Sequence, residues 1–573
     1  MTKRKILTAK FLTALALTAT TTLATPAFAG NSGDYLAARQ ARMAGDFDAA
    51  VYYYIRALGD DPKNPQLLEG AALSQLSAGD LARAVPVAER MEKNGVESQI
   101  ARAILAAHEF ETEDYTAILA RVTEDRGVGP LVDGLMAAWA RLGSGDMTAA
   151  LAAFDTVAET KGLRGFALYH KALALAMVGD FEASEAIYSD EQAGPLQMTR
   201  RGAMARIEVL SQLDRNADAL ALLDRLFGHD LDPGLSAMRA GLETGETLPF
   251  THVTRITDGV AEIFYSVAAA LRGEATNDYT LIYSRVAEDL RRDHVDAILL
   301  SAELLEDMGR PELATRAYRK VPRDNPAFHA AELGRAEALR RSGRADAALE
   351  VLDQLAETHA DMPIVHSTRG DLFRGSERYM EAVKAYDRAL SLYDEDDRAQ
   401  WFVLYVRGIC QERLNHWDEA EADFRAALQF NPEHPRVLNY LGYSLVEKQE
   451  KLEEALSMIE RAADARPDSG YILDSLGWAL YRLGRYDDSV GHMERAAELM
   501  PVDPTVTDHL GDVYWAVGRR LEAEFQWQRA LSFDPEAGDA ERIRRKLKVG
   551  LDAVLAEEGA KPLKVAQDTS NGG

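Results

Sequence analysis

The chain has 573 residues, 47% of them hydrophobic and 27% charged, with a formal net charge of −27, one cysteine and 19 prolines. That length exceeds what one compact core accommodates, so several domains or an elongated array are expected. The acidic balance argues against nucleic acid and anionic membranes as partners. A single thiol excludes an intramolecular disulfide, and the abundance of Ala and Leu over alternating β-branched runs predicts an all-α protein.

The first 29 residues stand apart. Lys3, Arg4 and Lys5 precede an apolar, threonine-rich run from Phe11 to Leu23 that ends in Pro26-Ala27-Phe28-Ala29. A basic start, a short apolar centre and a small-x-small end predict a cleaved secretory signal peptide over 1–29, with the mature chain starting at Gly30. The run is too short for a membrane anchor. Residues 1–29 carry four basic and no acidic residues, so the mature chain has a formal charge of −31. The expected location is periplasmic. With Cys410 as the only cysteine there is no lipidation cysteine at the cleavage site.

Internal periodicity dominates the chain beyond residue 30. A small residue opens the second helix of each expected hairpin. Over 30–227 it appears as Ala50, Ala84, Ala117, Ala150, Ser184 and Ala219, a degenerate N-terminal array. Residues 228–262 fit no unit and read as an irregular junction. Over 263–535 the series continues as Ala314, Ala348, Ala382, Ala420, Ala455, Ser489 and Ala523, in steps of 34, 34, 38, 35, 34 and 34 residues. Proline falls twelve residues later in six units, at 62, 326, 432, 467, 501 and 535, where it closes one unit and starts the next. Glycines at 45, 79, 145, 179, 309, 343, 484 and 518 sit where a first helix needs a left-handed cap. Gly370, Gly408, Gly442, Gly477 and Gly511 let paired helices approach. Large side chains such as Tyr386, Phe424 and Trp527 are expected to fill the gap between successive hairpins. An amphipathic capping helix is expected over 536–557, its Arg542, Arg544, Arg545, Lys546 and Lys548 forming a solvated face, and a disordered tail over 558–573.

The unit from Trp401 to Pro432, with Gly408, Trp417, Ala420, Phe424, Ala427 and Pro432, resembles the tetratricopeptide repeat. The resemblance implies a right-handed α-solenoid of roughly 13 such helical hairpins, whose first helices line a concave face. On those helices one apolar stripe faces the partner helix, and a second is turned by one residue step. The second stripe implies a partner-binding groove of Tyr405, Asn439, Tyr443, Asp474, Trp478, Tyr481, Asp508, Asp512 and Trp515: aromatic anchors beside polar groups able to hold peptide backbone. The competing role for Trp478 is packing against the first helix of the next repeat.

Motifs for chemistry are missing. No H-E-x-x-H, G-x-S-x-G or phosphate-loop pattern occurs, so no catalytic, cofactor or metal site is expected. Cys410 with His416 is the nearest approach to a nucleophile and base, and a lone packed thiol is the better reading. The chain is not expected to be an enzyme. Finally, Tyr471–Leu531 resembles the C-terminal repeats of proteobacterial envelope proteins, typically lipoproteins, that serve as adaptors of carboxyl-terminal processing proteases. That resemblance implies a periplasmic scaffold for envelope proteins or peptides, including such a protease and its substrates. No nucleic acid and no integral membrane segment enter this reading. An assembly factor for outer-membrane or cell-wall machinery is the alternative, and an enzyme a remote one.

Overall fold

The structure is a computed structural model that describes residues 30–124, 126–190, 199–228, 231–394, 396–560 and 562–563. The expected signal peptide and residues 564–573 of the expected tail lie outside them. Among the described residues there are 31 helices and no strand. They form two compact units that divide after Ser342.

Unit 1 opens with six hairpins: α1 (Gly30–Met43) and α2 (Phe47–Asp60), α3 (Pro65–Ser77) and α4 (Leu81–Lys93), α5 (Gln99–Glu111) and α6 (Tyr115–Thr123), α7 (Pro130–Gly143) and α8 (Met147–Ala158), α9 (Arg164–Met177) and α10 (Phe181–Tyr188), α11 (Arg200–Gln212) and α12 (Asn216–Phe227). Then come α13 (Pro233–Glu243), the pair α14 (Ile256–Leu271) and α15 (Asn277–Leu290), the pair α16 (Val295–Asp307) and α17 (Pro311–Tyr318), and α18 (Phe328–Arg341).

Unit 2 begins with α19 (Ala345–Thr358) and continues as α20 (Pro363–Gly375) and α21 (Tyr379–Leu390), α22 (Gln400–Arg413) and α23 (Trp417–Phe430), α24 (Pro435–Glu447) and α25 (Leu452–Ala465), α26 (Gly470–Arg482) and α27 (Tyr486–Leu499), α28 (Pro504–Ala516) and α29 (Arg520–Leu531). It ends with α30 (Ala537–Val549) and α31 (Leu551–Glu557), so the expected capping segment is two helices, broken where Gly550 adopts φ +83°.

The turns follow from local chemistry. Gly45, Gly79, Gly145 and Gly179 take φ between +70° and +87°. The aspartate after each one accepts a hydrogen bond from a backbone N–H three residues on. Where glycine is missing, Glu113, Asp214, Glu377 and Asn415 occupy the same left-handed region. This geometry shifts the register of the third hairpin. Ile118, not Ala117, takes its fully buried position, because the Asp114 cap binds the Ala117 N–H and so fixes where the helix starts.

Packing within hairpins is equally specific. A Cβ on Gly370 would lie 2.4 Å from the Tyr386 ring, and one on Gly408 would lie 2.7 Å from the Phe424 ring. The large residue of these units therefore rests on the glycine of its own hairpin rather than only between hairpins. Phe424 then also reaches Tyr440 of the next hairpin, with ring centroids 5.2 Å apart.

Residues 228–262, left as an irregular junction by the repeat pattern, hold α13 and the start of α14. They lack the 34-residue signature for a physical reason. The α14–α15 pair stacks on α16 and has a second set of neighbours as well. It folds back so that α14 packs on α5, α7 and α9, and α15 on α3 and α5. Unit 1 also closes on its start: Arg310 donates to the Met43 carbonyl, and Arg316 lies 3.4 Å from Asp48.

Candidate protein-binding groove

In unit 1 the first helices α3, α5, α7 and α9 are covered by the chain's own α14–α15 pair. Gly259 of α14 lies so close to Trp139 of α7 that a Cβ there would come within 2.5 Å of the indole. Trp139 donates from Nε1 to His170 Nδ1 at 3.3 Å. Glu262 of α14 is fully buried. It takes bonds from Arg201 and from the Tyr169 hydroxyl, and His294 Nε2 lies 3.1 Å away. Burial alone would raise its pKa, but Arg201 and then His294 outweigh it and hold the carboxyl well below the usual range. A buried carboxylate met by this many partners ties the pair down.

Among the described residues unit 2 has no such cover over α20–α26, yet most of the expected groove residues are not exposed. The Trp478 indole is 7% exposed. One face stacks on His509 of α28, with centroids 3.9 Å apart at 12°, and Tyr481 stacks at 4.8 Å. Its Nε1 donates to Glu447 at 2.6 Å. The one-step offset of Trp478 thus places it in the seam between α26 and α28, against the next first helix. Asp474 accepts from His509 Nδ1 at 3.0 Å. Burial lowers the His509 pKa, but Asp474, then Asp508 and Asp512, overcome it and raise the imidazole.

The same seam logic continues downstream. Asp508 and Asp512 both bind Lys546 of α30, whose ammonium lies 2.8 Å and 2.6 Å from their carboxylates, and Asp512 also accepts from Trp527 Nε1 at 2.8 Å. Trp515 donates to Asp552 at 2.9 Å under the Arg520 guanidinium. The C-terminal basic cluster is therefore partly an internal clamp rather than a solvated face: Lys546 is buried, and Arg542 and Arg545 pair with Glu558 and Glu557. Tyr443 is half-buried and Tyr481 buried, and burial pushes both phenols up.

Tyr405 and Asn439 remain. They border a cleft of about 590 Å³ between α24 and α26, together with Arg436, Tyr440, Arg466 and Tyr471. Three residues before its helix's glycine, Asn439 occupies the position of Asp474 and Asp508. Those two are closed by His509 and Lys546, whereas the buried Asn439 Oδ1 has no hydrogen-bond partner. Arg436 and Tyr471, in the first turns of α24 and α26, and Arg466, which caps the end of α25, escaped the sequence reading because they lie outside the repeated positions. His509 and Lys546 escaped it because their partners are 35 and 38 residues away.

Elsewhere chemistry is quiet. Cys410 is buried, and burial pushes its thiol up to about 11. Among the described residues there is no group of three potential metal ligands, and no helix long and apolar enough to cross a membrane.

A family described as Tetratricopeptide repeat matches residues 35–116, 299–363, 405–470 and 446–504. A TPR repeat-containing protein of Pseudomonas aeruginosa is 29% identical over 187 residues, and that stretch is 32% of this chain but only 31% of the relative's length. Among solved structures, the Cut9–Hcn1 hetero-tetramer of the APC/C is 15% identical, covering 91% of this chain and 96% of that one, with TM-score 0.38. YrrB, described as a TPR protein with an unusual peptide-binding site, is 20% identical over 34% of this chain and 99% of its own, with TM-score 0.28. MamA from AMB-1 is 25% identical over 30% of this chain and 97% of its own, with TM-score 0.26. The matched stretches, which together span less than half of the chain, are tetratricopeptide repeats.

Proposed function

We propose that this chain is a periplasmic scaffold that holds segments of other envelope proteins in the α24–α26 cleft of unit 2 and presents them to an envelope protease. The observation that carries the reading is the open Asn439 position. The seams after it are closed by His509 and Lys546, while Asn439 lines a cleft bordered by three tyrosines, Tyr405, Tyr440 and Tyr471. The covered first helices of unit 1 direct binding to unit 2. The periplasmic assignment rests on the basic, apolar and small-x-small pattern of residues 1–29. The protease link rests on the resemblance of Tyr471–Leu531.

A photo-crosslinking amino acid placed at Tyr405 or Tyr471 in cells tests this. Expected adducts contain a carboxyl-terminal processing protease or its substrates, with no adducts from a probe at the seam residue Tyr481. Adducts confined to outer-membrane or cell-wall assembly proteins would favour the assembly-factor reading. Fractionation and N-terminal sequencing test export: the protein should be periplasmic and begin at Gly30.

A further inference from the structure

The cleft between α24 and α26 has a charge of its own. Arg436, beside its floor, and Arg466, at its rim, are exposed, and neither guanidinium forms an ion pair among the described residues. Nearby arginines such as Arg407, Arg425 and Arg461 are held by carboxylates. One acid, Asp468, also lines the cleft; it is 86% exposed and is the ion-pair partner of Arg495. The two free cations act together on one place. His434, whose ring lies tilted at 4.2 Å from that of Trp401, has its pKa lowered first by burial, then by Arg436 and by Arg466. Two unpaired positive charges therefore converge at the start of α24 in a chain whose net charge is strongly negative.

Beside them stand an acceptor and two aromatic surfaces. Asn439 Oδ1 is buried without a donor. Tyr471 is 62% exposed, and Tyr405 is half-buried on the facing helix. The α24 and α26 helices begin here with no side-chain cap bond from His434 or Ser469. Resting on the reading of this cleft as the partner site, we propose that its occupant is an acidic peptide segment, with Asp or Glu side chains between Arg436 and Arg466 and its backbone passing Asn439. Bidentate pairing of guanidinium with carboxylate gives direction as well as attraction. The chain's own negative charge elsewhere would keep the segment from settling at other sites.

The test starts without a known ligand. Phage-displayed random dodecapeptides are selected on the full chain, and the recovered sequences are made with a fluorescein label for anisotropy titration. The recovered set should be rich in Asp and Glu. Arg436→Gln and Arg466→Gln should each weaken binding about tenfold, the scale of one charge-assisted pair lost. Raising NaCl from ~50 to ~300 mM should weaken binding to the wild type far more than to the double variant. Asn439→Ala should weaken binding while leaving the salt dependence unchanged. Both arginines are exposed, so melting curves of their variants should overlay the wild type. In bound samples the His434 titration should move back up toward its ordinary value.

Acidic peptides that bind the double arginine variant as well as the wild type would overturn the proposal. So would recovered peptides that are neutral or basic. If those peptides still crosslink at Tyr405, the cleft remains a peptide site and only the acidic preference falls. Recovery of no peptide would remove both. Phosphatidylglycerol vesicles that bind, and lose binding in the same variants while peptides do not, would assign the cleft to a membrane surface instead.

Discussion

Trp478→Ala should behave as a core mutation, not as a loss of a ligand contact. The indole is 7% exposed, faces His509 on one side, stacks with Tyr481 and donates to Glu447. Truncating a buried tryptophan costs about 3–5 kcal/mol through lost burial and a cavity. The Glu447 bond adds little, because that carboxylate is 42% exposed and water replaces the donor. Trp478→Phe, which keeps a ring on His509 and removes only the N–H, should therefore cost about 1 kcal/mol. Leu476→Ala, at 5% exposure on the other stripe of α26, should cost a comparable 2–5 kcal/mol, so ~3 kcal/mol is a fair centre.

Hydrogen exchange read by mass spectrometry is the suitable assay, because stacked repeats lose protection locally. A loss of about 4 kcal/mol accelerates exchange in α26, α27 and α28 by about a thousandfold. Unit 1 should keep its protection. If Trp478→Ala leaves protection across residues 470–531 within about 1 kcal/mol of wild type yet abolishes capture of selected peptides, the indole is a ligand anchor and the seam argument fails.

Lys546→Ala removes the cation from two buried carboxylates, Asp508 and Asp512, and should cost about 3–5 kcal/mol, seen as lost protection in α28 and α30. Unchanged exchange there would show that the α30 clamp contributes nothing. His170 is fully buried, and burial lowers its pKa from the ordinary 6.5 to about 4. The unfolded chain then takes the proton first, so this contribution is complete above pH 6.5 and is lost as pH falls toward 4, by about 3 kcal/mol in all. His170→Gln keeps an acceptor for Trp139 and cannot ionise, so its denaturation midpoint should fall less than that of wild type on acidification; parallel profiles would refute the burial argument. Glu377 holds φ +58° at an exposed hairpin turn, and Glu377→Gly should raise the stability of the α20–α21 hairpin by about 1 kcal/mol in urea titrations.

The repeat architecture was legible in the sequence because its determinants are local. Gly45, Gly79, Gly145 and Gly179 mark turns that need a left-handed residue, and Gly370 and Gly408 mark contacts where a Cβ would strike a ring. Each acts within one 34-residue unit, so spacing alone reveals it. Ala117 was misplaced by one residue for a related reason, since the spacing of small residues does not register the Asp114 cap that sets the helix start.

What joins one unit to the next, or one part of a unit to a distant one, was decided only by the tertiary structure. A helix face turned one step from the hairpin core can look into a groove or into the adjoining helix, and Trp478 has the same sequence signature in either case. It faces His509 because successive first helices pack side by side, and Asp474, Asp508 and Asp512 find His509 and Lys546 for the same reason. The cover that the α14–α15 pair lays over α3, α5, α7 and α9 depends on contacts such as Gly259 with Trp139, 120 residues apart in the chain. Asn439 reads as one more member of the stripe in sequence. Only the packing around it shows a position without a partner, since a missing hydrogen bond is a property of everything that surrounds a residue.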